Sequence, residues 1–577
     1  MGKRSAWVPA DPGIGALTII QLVLTHIICN IQPVASLPCS YQNPRVEDVL
    51  FEVPIGYTSS KDKHRKIRST IPTKFHSLRI HLHYDDSVLE LEPEKQLYIN
   101  SSLLPEAAGF WERALRVRRA EGPIKLRRKC LTQHYYFRPD QKTVACELGC
   151  KEQTTCGEAF IPPEHLLECQ FCSNPDACAT LGSAGEGVEG ADFILYVAAK
   201  HTKRCENADT LAYAAHCQQE QTYDRPIAGH VNLCPSALST QSHDQELLIS
   251  TVKHEMVHAL GFSAGLFAFF RDEQGRPRTK RNRYGKPLHL NAESGYYEWD
   301  ESTIAKIPRP DWWTSQGNLL HEVTMMVTPR VRDEARKHFG CPSLEGAELE
   351  NQGGEGTALT HWEKRLFENE AMTGTHTQNP VYSRLTLALL EDSGWYRPNY
   401  DVAESLYWGQ DLGCDFVKKS CGDWIRQRKD GNSGAYPFCE HIKHDGKKSL
   451  AVTRCTSQRD SLALCNLVPY KKELPKVEVR EEIHDVNWLK IKKALMVLWR
   501  YTVTRPAALI CIARGPKGGV EKSVVSPNTW LDVICIHVQT ARSMLVLRAP
   551  KSCTPATALG RKYKFDRCEV AGYVKVF

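Results

Sequence analysis

Behind an acidic start at Asp244, apolar residues recur at helical spacing through Leu247, Leu248, Ile249 and Val252, which predicts a helix beginning near Asp244. Gly261 is the expected end of that helix, in the left-handed conformation that glycine adopts without a Cβ clash. Upstream, Leu78–Tyr84 alternates as a strand does, and Phe193–Val197 is continuously apolar, as a buried strand is. Pro105–Arg119 has the periodicity of an amphipathic helix, with Phe110, Trp111, Leu115 and Val117 as its packing residues. Further helices are expected near Arg330–Phe339 and over Leu385–Leu390. The remainder of the stretch from about Leu266 to Gly356 reads as charge-rich loops. Strands that precede a long helix in this order fit an α+β lobe.

The long helix carries the most informative residues of the chain, His254-Glu255-Met256-Val257-His258. Positions i and i+4 share a helix face, so His254 and His258 can direct two imidazole nitrogens at one metal ion. Glu255, beside the first of them, can polarise a water and accept its proton. This is the HExxH arrangement of metalloproteases. Gly261, three residues after His258, suits the metzincin pattern, in which the chain turns back to bring a third histidine to the metal. The short-spacer form of that pattern would put this histidine ten residues after His254, where the chain has Ala264. The third ligand therefore comes from further away, and spacing leaves His289, His321, His338, His361 and His376 as candidates.

Composition narrows the setting. The chain has 577 residues and a dispersed net charge of +7, which gives no basis for nucleic-acid binding. Lys3 and Arg4, the apolar run Ala16–Leu24 and the small residues Ala35 and Ser36 read as a secretory signal peptide over residues 1–36. Gln21, Thr25 and His26 interrupt the apolar stretch, which argues against a transmembrane helix. The C-terminal residues lack the tail of a lipid-anchor signal, and peripheral membrane association stays open. The 22 cysteines favour disulfides in an exported protein over a zinc knuckle at Cys169-Gln170-Phe171-Cys172. The expected localisation is the secretory pathway, secreted or at the cell surface; the alternative is a cytoplasmic form. Asn100-Ser101-Ser102 is a glycosylation sequon for an exported chain, and Arg65-Lys66-Ile67-Arg68 offers a processing site after Arg68.

Thr360–Arg365 and Glu368–Gly374 resemble the distal part of the active site in the leishmanolysin family of zinc metallopeptidases. Ala191–Val197, Arg225–Gly229, Ser263–Phe269 and Val327–Val331 are similar to segments of the same family, and the resemblance spans roughly Leu37 to Leu467. It implies a metzincin-type zincin catalytic domain with a long insertion between the second and third ligands and a cysteine-rich C-terminal part. It selects His361 as the third ligand and Met372 as the methionine-turn residue, and it implies one Zn2+ per chain. It also implies a pro-region in which Cys39 occupies the open metal position, an ordinary disulfide being the alternative for that cysteine. The organisation that follows is a signal peptide (1–36), a pro-region (37–68) and an N-terminal catalytic lobe (69–265). An insertion (266–356), the third ligand with the methionine turn (357–400) and a cysteine-rich segment (401–467) come next. Residues 468–577 depart from the family. The expected activity is zinc-dependent endopeptidase cleavage of protein or peptide substrates, with Glu255 as general base and a link to cell adhesion and migration. The alternative is a catalytically inactive, zinc-bearing adhesion or interaction protein.

Overall fold

A computed structural model describes Cys39, residues 41–57 and residues 75–438 apart from short gaps; beyond these it describes only isolated strands. The expected signal peptide, Arg68 and nearly all of residues 468–577 lie outside the described residues.

Five strands build the central sheet: β1 (Leu50–Val53), β2 (Ile80–Tyr84), β3 (Phe193–Ala198), β4 (Ala212–Glu220) and β5 (Pro226–Leu233). Their spatial order is β1-β4-β5-β3-β2. β4 and β5 are antiparallel, and every other neighbouring pair is parallel. The continuous apolar run of β3 follows from burial on both faces. Phe193, Leu195 and Val197 enter a core shared with helices α1 (Leu104–Ala114) and α2 (Ser242–Leu260). Ile194, Tyr196 and Ala198 enter a second core with Ile124, Leu126, Ile161 and Cys217. Alternation along one strand thus divides the molecule into a helical side and a loop-covered side.

The helical side depends on large side chains. Trp111 of α1 is fully buried, and its indole N–H donates to the carbonyl of Lys253 on α2 at 3.1 Å. Truncating such a residue to alanine costs about 3–5 kcal/mol. α1 ends at Ala114, short of the predicted Arg119, and Leu115–Arg118 is a strand paired with Phe75–Ser77 and Tyr396–Pro398. Leu115 and Val117 are buried as expected, but at a period of two. Trp111 and Leu115 also fit an i, i+4 spacing, which is how the helical pattern overran its end.

The loop-covered side is held by covalent links. Among the described residues, disulfides join Cys130–Cys146, Cys150–Cys169, Cys156–Cys217, Cys172–Cys178 and Cys205–Cys234, and a sixth, Cys341–Cys414, has Cys341 in the helical core. Cys169 and Cys172 are therefore both in disulfides, and Cys156–Cys217 fastens a loop to β4. The stretch read as charge-rich loops contains a hairpin, Ile304–Thr314 with Gly317–Met326. Pro308 and Pro310 obscure the first strand, which is tolerated because that strand lies at the edge of its sheet. Helix α3 (Pro329–Phe339) follows and packs on α4 (Arg384–Asp392). The Asp392 carboxylate accepts from the backbone N–H groups of Arg330 and Val331 at 2.7 and 3.0 Å, so a neighbouring helix supplies the cap that the Thr328 side chain at the N-cap does not make. Among the described residues, no helix is long and apolar enough to cross a membrane.

Candidate metal centre

The last two turns of α2 carry His254, Glu255 and His258, all buried. The helix ends at Gly261, whose N–H bonds the carbonyl of Val257 at 2.9 Å. Its φ of 179° is extended backbone, so the expected left-handed cap is corrected. Its small size matters instead through proximity: an added Cβ would lie 2.9 Å from Leu390 Cδ2 on α4, so a side chain here would require Leu390 to shift.

The chain returns much later with His361. Its Nε2 lies 3.3 Å from Nε2 of His254, which is 3.2 Å from Nε2 of His258. In each ring the other nitrogen faces a backbone carbonyl: Ala371 at 2.6 Å for His254, Phe262 at 2.8 Å for His258 and Thr357 at 2.9 Å for His361. A carbonyl can only accept, so Nδ1 carries the proton in all three rings and the Nε2 lone pairs point inward. Burial lowers the pKa of His254 to about 4 and of His361 to about 3, and drives His258 well below the ordinary imidazole value. Three neutral imidazoles converge, the form in which histidine binds metal. Nitrogens at ~2.0–2.1 Å from one tetrahedral ion would be roughly 3.3–3.4 Å apart, so the donor set fits a metal of zinc's size.

Glu255 completes the inner shell. Its Oε2 accepts from the backbone N–H of Ala214 on β4 at 3.0 Å. Burial pushes its carboxyl up to about 8, against the opposing hydrogen bonds from Cys39 and Ala214. The Cys39 thiol lies 3.4 Å from Glu255 Oε1 and 3.7 Å from His258 Nε2. Its sulfur and the three histidine nitrogens all lie within 4.8 Å of one another. The segment bearing Cys39 is anchored along its length. The Cys39 N–H bonds Gly374 O, the Tyr41 ring stacks on His258 with centroids 4.0 Å apart, and the Tyr41 hydroxyl bonds Ser263 Oγ at 2.6 Å. Asn43 accepts from the Ala264 N–H at 2.9 Å, and β1 then joins the edge of the sheet beside β4.

Met372 is fully buried, and its carbonyl accepts from the N–H of Trp362, the residue after His361. The turn is pinned by Glu370, a buried carboxyl that accepts from the N–H groups of Met372 and Ser383 and from the hydroxyls of Ser383 and Thr386. The other candidate histidines lie elsewhere. His289 is exposed, His321 packs in a tilted contact against Trp312 and His338 bonds the carbonyl of Trp408. His376 bonds Ser250 Oγ at 2.8 Å. Asn100 is exposed, on the turn Ile99–Leu103 that precedes α1. Reading the sequence did not find Tyr41, the Ala214 amide, Glu370 or the three carbonyls.

Residues 165–478 match the family model described as Leishmanolysin. The chain belongs to the leishmanolysin family of metallopeptidases. It is 64% identical over 444 residues to a leishmanolysin-like peptidase of Caenorhabditis elegans, covering 76% of this chain and 67% of that protein. A leishmanolysin-like peptidase of Drosophila melanogaster is 49% identical over 449 residues, covering 76% of this chain and 65% of its own length. The ciliated left-right organizer metallopeptidase of Mus musculus is 35% identical over 266 residues, 45% of this chain and 34% of that protein. The chain thus spans about two thirds of the length of the worm and fly relatives.

Proposed function

We propose that this leishmanolysin-family chain is a zinc endopeptidase whose fold is of the metzincin type, with His254, His258 and His361 holding the metal and the long segment between the last two as its insertion. The observation that carries this reading is the convergence of three carbonyl-oriented imidazoles beside the buried carboxyl group of Glu255. Zinc bound there supplies Lewis acidity toward the scissile carbonyl and acidifies water. Glu255 takes the proton of the attacking water on Oε1 and delivers it to the departing amine nitrogen, while the Ala214 N–H holds Oε2 in place. The Met372 turn fixes the carbonyl of Ala371 and through it the ring of His254. Six disulfides support synthesis in an oxidising compartment, where Asn100 would be available for glycosylation.

Cys39 gives this reading a latent form. Burial raises its thiol pKa well above the ordinary value, with Glu255 adding to the effect, so without a cation the sulfur is a neutral thiol. With a cation held by the three imidazoles, Cys39 would ionise to a thiolate and would occupy the position that water needs. Tyr41, stacked over His258, covers the site at the same time.

The test is zinc content and casein cleavage of the purified chain beside Glu255→Gln. About one zinc at this centre in both proteins, with cleavage only in the parent, is the expected result. Equal cleavage by the two proteins would remove Glu255 from its role. Metal without cleavage, even after the Cys39 segment is removed, would favour the inactive zinc-bearing protein.

A further inference from the structure

On the loop-covered side of the sheet, three more histidines come together. His81 and His83 lie two apart on β2, paired in register with Ile194 and Tyr196 of β3. The intervening Ile80, Leu82 and Tyr84 pack toward the helical core, so His81 and His83 share the opposite face. His165 ends the short helix Pro163–His165 and faces them, with its ring centroid 5.0 Å from that of His83 and 6.2 Å from that of His81. One nitrogen from each of the three rings falls within 4.8 Å of the others.

We propose that His81, His83 and His165 form a second metal site, for a divalent transition ion of the zinc class, on the face of the sheet opposite the peptidase centre. Two features of the cluster support it. The His165 ring is fixed by a 2.9 Å contact between Nδ1 and the Tyr196 hydroxyl, the kind of outer partner that orients a ligating imidazole and leaves the second nitrogen for a metal. The side chains of His81 and His83 make no hydrogen bond among the described residues, and both retain exposure through which an ion can enter. Imidazole is a preferred donor for zinc, copper and nickel, and a strand with ligands at i and i+2 plus one from a facing turn supplies three of the four tetrahedral positions.

The bound ion would join edge strand β2 to the Pro163–His165 turn. Among the described residues the ligand group consists of histidines alone, and the role assigned to the ion is to hold the sheet edge. Full-length protein loaded with zinc and freed of excess should carry about two ions per chain. His83→Gln, and independently the exposed-site change His81→Ala, should each carry about one and cleave casein at the parental rate. His361→Ala should also carry about one, now without cleavage. Cobalt exchanged into His361→Ala should show the visible absorption of a tetrahedral ion, and the added change His83→Gln should abolish it. One zinc in the parent that persists in His83→Gln would overturn the proposal, as would two zincs undiminished by either outer variant. A single zinc that vanishes with His83→Gln would support the outer site and instead sink the zinc assignment at the peptidase centre.

Discussion

Two clusters of three histidines lie on opposite faces of one sheet, and their surroundings differ more than their ligands do. The inner cluster is buried, each ring is locked by a backbone carbonyl, and Glu255 stands beside it. The outer cluster opens to solvent at His81 and His83, and only His165 has a fixed partner, Tyr196. Inner Nε2 separations of 3.2 and 3.3 Å already match a tetrahedral set, whereas the outer nitrogens are specified only to within 4.8 Å. Three imidazoles are enough to hold a metal. What makes a metal centre catalytic is the base, the enclosure and the preset geometry around them.

Glu255 provides the sharpest break between the clusters, because it is buried beside the inner one and held there by the Ala214 N–H. Glu255→Gln should lower kcat/KM by roughly 10³-fold or more while leaving zinc content unchanged, measured by steady-state cleavage and elemental analysis. The preset geometry comes next. Glu370→Ala removes the carboxyl that holds the Ala371–Met372 turn, and with it the support of His254. Zinc affinity at the inner centre should fall about 10–100-fold in a chelator competition, with the outer ion unaffected. An unchanged inner affinity would show that the turn holds its shape without Glu370.

Cys39 supplies a third contrast, since the outer cluster has no thiol. In the full-length chain, Cys39→Ala should raise casein cleavage on the order of tenfold or more, because a tethered ligand competes at millimolar effective concentration. Cleavage equal to that of the parent would mean that the segment from Cys39 to Val53 blocks the cleft by Tyr41 and β1 alone, or that it does not block it at all. Tyr41→Ala in the same background separates those two outcomes.

How far these features could be read from the sequence depended on how local they were. His254, Glu255 and His258 stand on one helix, so spacing alone revealed their relation. His361 is 107 positions from His254, and only resemblance to a family selected it over His376. The carbonyls of Phe262, Thr357 and Ala371 carry no side-chain signature, since every residue has one. The helix from Asp244 and strand β3 were legible because their periodicities run unbroken, whereas Leu115 satisfied both a helical and a strand pattern until its partners were seen. Gly261 was singled out for a left-handed conformation, whereas its backbone is extended and it lies close to Leu390, a contact that no local pattern encodes. The alternation of His81 and His83 was visible as a strand, but its chemistry depended on His165, brought in from a distant turn.

Effects at either cluster need a reference that belongs to neither, and Glu345 provides the smallest expected change. Its carboxylate sits between Arg309 and Lys418, at 2.9 and 3.1 Å. Burial opposes its ionisation, but the hydrogen bonds from Arg309 and Lys418 outweigh burial and hold the pKa at about 2, below the ordinary 4.5. A depressed carboxylate stabilises the fold above its unfolded pKa, and that contribution is lost as pH falls through the folded one. Glu345 keeps about a third of its side chain exposed, so solvent screening limits the expected cost of Glu345→Gln to about 1 kcal/mol at pH 7. In urea titrations the gap between parent and variant should stay constant from neutral pH to about 5, then close between about 4.5 and 2. Zinc content and cleavage should not move, because the ion pair holds the Cys341–Leu344 turn near α3 and reaches neither histidine cluster. A gap that persisted at pH 2 would mean that Glu345 acts by packing, and a fall in zinc content would show that the metal centre draws on the region around Glu345 for its stability.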